Sequence, residues 1–147
     1  MKVIIDSNIV FSALLNTQST IGDILLNSQD QLEFYTCSYL REEIDTHKPR
    51  ILAKTGYTEI EYREVEFLIY QQIIFFTESL ITFDIWKQAV ELVRDVDMDD
   101  IAFVALSLFL DIKIWTRDKK LQNGLRAKGF NNLISTQELL VYRGNEK

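Results

Sequence analysis

The sequence has few of the residues that build covalent cross-links or soft-metal sites. Its 147 residues include one cysteine, Cys37, and one histidine, His47. A single cysteine excludes an internal disulfide framework, a cysteine-based zinc site and an iron–sulfur site. Because there are also only one proline and five glycines, with no linker or low-complexity segment, we expect a single domain over residues 1–147.

Long hydrophobic runs are also missing. No apolar run reaches the roughly 18 residues that a membrane-spanning helix needs. The N-terminal stretch meets a charge at Asp6 and does not resemble a signal peptide. We therefore expect a cytoplasmic protein with no membrane segment. The hydrophobic content of 47% excludes an intrinsically disordered chain.

Positive charge is scarce over most of the chain. The net charge of −6 argues against a protein that holds nucleic acid by charge alone. Residues 1–110 carry 8 basic and 18 acidic side chains, whereas residues 111–147 carry 8 basic and 4 acidic ones. Any binding of nucleic acid must therefore use the basic C-terminal third, or metal ions, to offset the acidic remainder.

Short apolar runs alternate with helical patterns along the chain. The runs predict strands at 3–5, 32–36, 73–76, 112–116 and 132–134. Pro49 is expected to end or kink a helix. The expected helix caps are Ser38, Asp84, Thr136 and the capping-box pair of Thr58 and Glu61. Strands that alternate with helices predict an α/β fold with a parallel sheet covered on both faces.

Acidic side chains follow predicted strands or begin predicted helices at several places. Asp6 directly follows the first strand, and Asp118 follows the fourth. Further acids stand near helix starts: Glu42 and Glu43 after the second strand, and Asp97, Asp99 and Asp100 before the apolar helix at 101–110. Because the crevice of a parallel sheet lies at the carboxyl ends of its strands, we expect these segments to meet there.

Several carboxylates in one pocket repel one another. At 4 Å and an effective dielectric constant near 20, each pair costs about 4 kcal/mol. Such a cluster stays ionised only beside a cation, or else some members take up protons. All-oxygen ligation selects a hard ion such as Mg²⁺ or Mn²⁺. Since a divalent ion can bind a phosphate oxygen and activate water, the residues indicate metal-dependent phosphodiester hydrolysis.

The segments that carry these acids resemble, in order, the four motifs of the PIN-domain family. They are Val-Ile-Ile-Asp6-Ser7-Asn8, Glu42-Glu43-Ile44, Asp97-Met-Asp99-Asp100-Ile-Ala and Trp115-Thr116-Arg117-Asp118. The resemblance covers about residues 1–140, which we expect to form the core of the domain. It implies a three-layer α/β/α PIN-like fold with a central parallel five-stranded sheet, and a metal-dependent ribonuclease.

The resemblance also implies a role for each residue of the motifs. The implied catalytic residues and ligands of Mg²⁺ or Mn²⁺ are Asp6, Glu43, Asp100 and Asp118, with Asp97 as a further ligand. Ser7, Asn8 and Thr116 are expected to support the site. Glu43 is preferred to Glu42, and Asp99 is interpreted as a helix cap. The basic side chains that we expect to contact phosphates are Arg117, Lys119, Lys120 and Lys48.

The same resemblance implies RNA as the substrate and a place among the toxin components of toxin–antitoxin pairs, with an antitoxin as partner. Strongly apolar stretches at 73–76 and 103–110 suggest a homodimer. Two alternatives stay open. One is a non-catalytic PIN-like module that binds nucleic acid or a partner. The other is a phosphatase with Asp6 as nucleophile, although the dehalogenase-like pattern has a second aspartate where this chain has Asn8.

Overall fold

The computed structural model describes residues 1–145, which form five strands and eight helices. The strands are β1 (Lys2–Ile5), β2 (Glu33–Cys37), β3 (Ile73–Phe76), β4 (Lys113–Trp115) and β5 (Leu133–Ile134). The helices are α1 (Ser7–Leu15), α2 (Thr20–Asn27), α3 (Leu40–Thr55), α4 (Glu59–Tyr70), α5 (Phe83–Val93), α6 (Ile101–Leu110), α7 (Lys119–Ala127) and α8 (Thr136–Asn145). Two short 3₁₀ helices lie at Glu78–Leu80 and Met98–Asp100.

All strand pairs of the sheet are parallel, in the order β3-β2-β1-β4-β5. Each predicted strand agrees with the structure to within one residue at either end. Val3, Ile4 and Ile5 of the central strand are fully buried, because helices cover both faces of the sheet. The prediction of a parallel five-stranded sheet in an α/β fold is confirmed.

The helices form two layers around the sheet. In one layer α1 packs against α2, α3 and α4, and α2 also contacts α8. In the other, α5 packs against α6 and α7. Helix α6 lies against β1, β2 and β4, and its residues from Ala102 to Ser107 are buried. This burial explains why α6 is apolar almost all round.

The direction of the chain across the sheet reverses beside β1. From β1 the chain proceeds outward through β2 to β3, and it then returns to β4 on the other side of β1 and ends at β5. The carboxyl ends of β1 and β4 are therefore neighbours at the point where the strand order changes. That point is where parallel α/β sheets form their crevices. Asp6 and Asp118 are the first acidic residues after these two strands.

The structure differs from the expectations for α3 at two residues. Ser38 does not cap the helix, because Tyr39 occupies the N-cap. The Ser38 hydroxyl instead donates a hydrogen bond to Glu78 at 2.8 Å. Of the two effects expected of Pro49, an end of the helix is not observed, because α3 continues to Thr55. Ile51 beyond the proline is fully buried, so tertiary packing holds the second half of the helix in place.

Two other helices begin earlier than predicted. Thr82 occupies the N-cap of α5, and Asp84 lies in the first turn, where its charge favours the helix dipole. Ser135 caps α8 by accepting a hydrogen bond from the Glu138 amide, so Thr136 is the first helical residue. The capping box that begins α4 is confirmed.

Within residues 1–145, no single helix combines the length and hydropathy of a membrane span. Helices α1 and α2 satisfy that criterion only when they are counted together as one segment, and the chain bends by 103° between them.

A buried threonine connects β2 to the end of β1, just before Asp6. The Thr36 hydroxyl donates to the Ile5 carbonyl at 2.8 Å. Thr36→Val keeps the shape but removes this donor, so the free energy of unfolding should fall by about 1–3 kcal/mol in urea titrations. Thr46→Val, at an exposed threonine of α3, is the matched control and should change it by less than about 0.5 kcal/mol. Equal losses in the two variants would contradict this role.

Candidate active site

Helix starts hold the acidic side chains at the carboxyl edge of the sheet. Asp6 caps α1, with Oδ1 accepting a hydrogen bond from the Ile9 amide at 3.1 Å. Asp118 caps α7 in the same way, with Oδ1 accepting from the Leu121 amide at 3.1 Å. Asp100 occupies the N-cap of α6. Since helix N-termini favour negative charge, each helix stabilises the carboxylate that stands at its start.

Three of the predicted acids come together as a cluster. One carboxylate oxygen from each of Asp97, Asp100 and Asp118 lies within 4.8 Å of the other two. Asp97 is also the cap of the Met98–Asp100 turn, because its Oδ1 accepts a hydrogen bond from the Asp99 amide at 3.0 Å. The prediction of Asp99 as the cap is therefore wrong: Asp99 is the amide donor, and its own side chain is exposed.

Asp6 and Glu43 lie beside this cluster, and each has a buried oxygen without a partner. Among residues 1–145, neither Oδ2 of Asp6 nor Oε1 of Glu43 finds a hydrogen bond. The other Glu43 oxygen accepts from the Ser7 hydroxyl at 3.3 Å, which connects α3 to the start of α1. A buried carboxylate oxygen that is left unpaired costs free energy, so both atoms have the character of ligand atoms.

Burial and mutual repulsion raise the pKa of three of these carboxyl groups. Burial raises the pKa of Asp6 from 3.8 to about 6, and the charge of Asp118 adds to the effect. Burial also raises the pKa of Asp100 from 3.8 to about 7, with further contributions from the charges of Asp6 and Asp97. For Glu43, burial and the charge of Asp6 raise the pKa from 4.5 to about 6. The five acids therefore behave as one electrostatic site.

The chemistry of this donor set fits a divalent cation. The five acids offer only oxygen atoms, and hard divalent ions prefer such ligands. A bound cation would favour the ionised carboxylates against both burial and mutual repulsion, and it would give partners to the two unpaired buried oxygens. The cluster can thus hold either protons or a metal ion.

Thr116 and Asn8 differ in how they support the site. The Thr116 hydroxyl accepts a hydrogen bond from the Asp118 amide at 3.1 Å and so helps to position that residue. The Asn8 side chain is exposed. Asn8 supports the site through its backbone N–H, which is one of the groups that favour the charged form of Asp6. Gln122, which the sequence analysis missed, donates to the Thr116 carbonyl at 2.8 Å. Its only signal in the sequence is its place one helical turn after Asp118.

The predicted basic side chains are divided between two places. Arg117, Lys119 and Lys120 are exposed around Asp118, at the start of α7. Lys48 instead forms an ion pair with Glu59 of α4. The guanidinium of Arg50, another candidate phosphate contact in the sequence, stacks over the Phe11 ring of α1 at 4.8 Å.

Comparisons with known proteins agree with this fold. The family model described as the PIN domain matches residues 4–141. One similar solved structure is VapBC2 from Rickettsia felis, determined with a bound DNA fragment from its promoter. Its TM-score is 0.65 at 10% sequence identity, and the alignment covers 92% of this chain and 97% of that chain. At that identity the likeness is one of fold. No curated protein matches the sequence.

The raised pKa values predict how stability depends on pH when no metal is bound. Asp6, Glu43 and Asp100 hold protons in the folded state up to pH values of about 6 to 7, whereas in the unfolded chain they lose them near pH 4. The folded state therefore binds more protons between about pH 4 and pH 7, and the free energy of unfolding should fall as pH rises through that range. Urea titrations in EDTA would measure this slope.

Two variants distinguish the contribution of the acidic site to this pH dependence from that of other titrating groups. Asp100→Asn removes one of the raised groups, so it should flatten the slope between pH 5 and pH 8 in EDTA. Asp30→Asn, at an exposed aspartate, should keep the parent slope. Parallel slopes for the parent protein and Asp100→Asn would show that the cluster does not control this pH dependence.

Proposed function

The chain belongs to the PIN domain family, and from that premise we propose that it is a metal-dependent endoribonuclease. The observation that carries the proposal is the cluster of Asp97, Asp100 and Asp118, with Asp6 and Glu43 beside it. PIN domains are generally nucleases, and the site lies at the crevice position of the sheet. The choice of RNA as substrate comes from the motif resemblance.

We propose Mg²⁺ or Mn²⁺ as the cofactor. Asp97, Asp100 and Asp118 would hold the ion, and the unpaired oxygens of Asp6 and Glu43 would complete its surroundings. When bound, such an ion acts as a Lewis acid on a phosphate oxygen and lowers the pKa of water. Both metals prefer oxygen ligands, so either ion fits this donor set.

The protein's own groups would bind and orient the RNA around that centre. Arg117, Lys119 and Lys120 are exposed beside Asp118 and would hold phosphates next to the one that is cleaved. The Ser7 hydroxyl fixes Glu43, and the Ile9 amide fixes Asp6. These contacts keep the carboxylates in place before substrate arrives, which reduces the cost of ordering the site.

We also propose that the chain acts as the toxin of a toxin–antitoxin pair, with an antitoxin protein as partner. The motif resemblance suggests this role, and the fold is similar to that of VapBC2, which was determined with a DNA fragment from its promoter. The homodimer expected from the apolar stretches of the sequence stays a prediction. Exposed apolar side chains on α4, including Ile60, Phe67 and Leu68, are available for either kind of contact.

The first test of the proposal is cleavage of a mixed-sequence single-stranded RNA by the pure protein. Cleavage should require Mg²⁺ or Mn²⁺ and should stop in EDTA. Asp6→Asn and Asp100→Asn should each lower the rate by about 100-fold or more, because loss of even an outer-shell partner of a metal ligand costs 10–100-fold.

The matched control for this test is again Asp30→Asn, which should cleave at the parent rate. Unchanged cleavage by Asp6→Asn would contradict the proposed site. If calorimetry shows that the protein binds the metal but no RNA is cleaved, the non-catalytic module is the better description. A phosphoryl group trapped on Asp6 would favour the phosphatase.

The basic side chains give a second test. Lys119→Ala and Lys120→Ala should each weaken RNA binding. In a plot of the logarithm of the binding constant against the logarithm of the salt concentration, each lost phosphate contact should reduce the steepness of the slope by about 0.7. Fluorescence anisotropy at several salt concentrations measures this slope. Lys2→Ala is the control, because Lys2 starts β1 at the opposite edge of the sheet. An equal change in the control would show that the effect is one of net charge.

A further inference from the structure

A pocket of about 310 Å³ lies beside the carboxylates, and the proposed chemistry does not use it. It opens between the start of α3, the two 3₁₀ helices, α5 and the first turn of α6. Its lining includes Tyr39, Glu78, Trp86, Met98, Asp99 and Ile101. The walls are mostly aromatic and aliphatic, and among the described residues the charged groups that line the pocket are all carboxylates.

Residues that line the pocket are close in sequence to residues of the acidic site. Asp99, which lines the pocket, lies in the same short turn as Asp100. Tyr39 stands one helical turn before Glu43, and the charges of Glu43 and Asp99 raise the pKa of its phenol. A group in the pocket would therefore lie next to a phosphate held at the carboxylates.

Tyr39 is held firmly although its ring is exposed. Its backbone N–H donates to Oε1 of Glu78 at 3.1 Å, and the Ser38 hydroxyl donates to the same carboxylate at 2.8 Å. The side chain nevertheless remains 41% exposed at the rim of the pocket. An exposed aromatic ring on a fixed backbone can stack against a ligand with little loss of entropy.

The negative charges that line the pocket restrict the class of ligand that can bind there. Because Glu78 and Asp99 are the charged groups of the pocket, a second phosphate would be repelled. A nucleobase is neutral and planar, and it stacks well on aromatic rings. Met98, which is 48% exposed at the same rim, offers a further apolar surface.

We propose that this pocket binds one base of the RNA substrate, next to the phosphodiester bond that is cleaved, by stacking against Tyr39. Trp86 and Met98 form the apolar walls, and Glu78 is a positioning residue that holds Tyr39 in place. The inference rests on the proposed nuclease function, because the base is fixed by the RNA strand whose phosphate occupies the carboxylate site.

The experiment pairs a protein variant with a substrate variant. The cleavage site is first mapped on a short RNA, and the nucleotides on either side of it are then replaced, one at a time, by abasic nucleotides. Tyr39→Ala should lower kcat/KM on the intact RNA by about 5- to 150-fold, the range for loss of one stacked base. On the RNA that lacks the bound base, Tyr39→Ala and the parent protein should cleave equally.

Three further variants make the result specific. Tyr39→Phe keeps the ring and should retain the parent kcat/KM, and Met98→Ala should show a smaller loss that also disappears on the abasic RNA. Phe83→Ala removes another exposed aromatic ring, at the start of α5 and outside the pocket, and should have no effect. Thermal unfolding would check that each variant is folded.

The outcomes separate this inference from the function on which it rests. Suppose that the parent protein cleaves RNA, and that Tyr39→Ala lowers kcat/KM by the same factor on the intact and the abasic RNA. The inference of a base-binding pocket is then wrong, whereas the proposed nuclease function is retained. An unchanged kcat/KM in Tyr39→Ala has the same meaning. If the parent protein cleaves no RNA in either metal, the proposed function fails, and the base pocket fails with it.

Discussion

Repulsion among carboxylates at the carboxyl edge of the sheet is the constraint to which the other features of the site respond. Asp97, Asp100 and Asp118 are close enough to share one ion, and buried oxygens of Asp6 and Glu43 lie unpaired beside them. At such distances each pair of charges costs several kcal/mol. Helix N-termini and single amide hydrogen bonds offset only part of that cost, and burial together with the remaining repulsion raises the pKa of Asp6, Glu43 and Asp100. A proton and a divalent cation therefore compete for the same place.

The order of the strands explains how residues so far apart in sequence meet at that place. Asp6 and Asp118 are separated by more than a hundred residues, yet β1 and β4 are neighbours in the sheet. Helix α6 packs across β1, β2 and β4, which sets Asp100 at the same edge. The acidic site is thus a consequence of reversing the strand order beside β1. At the opposite edge of the sheet, β1 and β4 begin with lysines, Lys2 and Lys113.

The sheet and the acids could be predicted because each depends on a local pattern. A β-branched run that ends at Asp6 indicates both a buried strand and a carboxylate at its carboxyl end. The link between Ser38 and Glu78 joins residues 40 positions apart and has no local signature. Helix α3 likewise passes through Pro49 because packing outweighs local preference. The pocket beside Tyr39 was missed for the same reason, since several separate segments build it.

The surroundings of the carboxylates differ from one side to the other. Arg117, Lys119 and Lys120 make the side near α7 basic, whereas Tyr39 and Met98 make the side near α3 apolar and aromatic. A protein of net charge −6 cannot attract a polyanion over its whole surface. It can bind one if phosphates meet cations on one side and a base, which carries no charge, enters the other. Under the proposed function, the acidic composition would limit which parts of an RNA strand can approach each side of the site, and the strand would lie in one direction across the cluster.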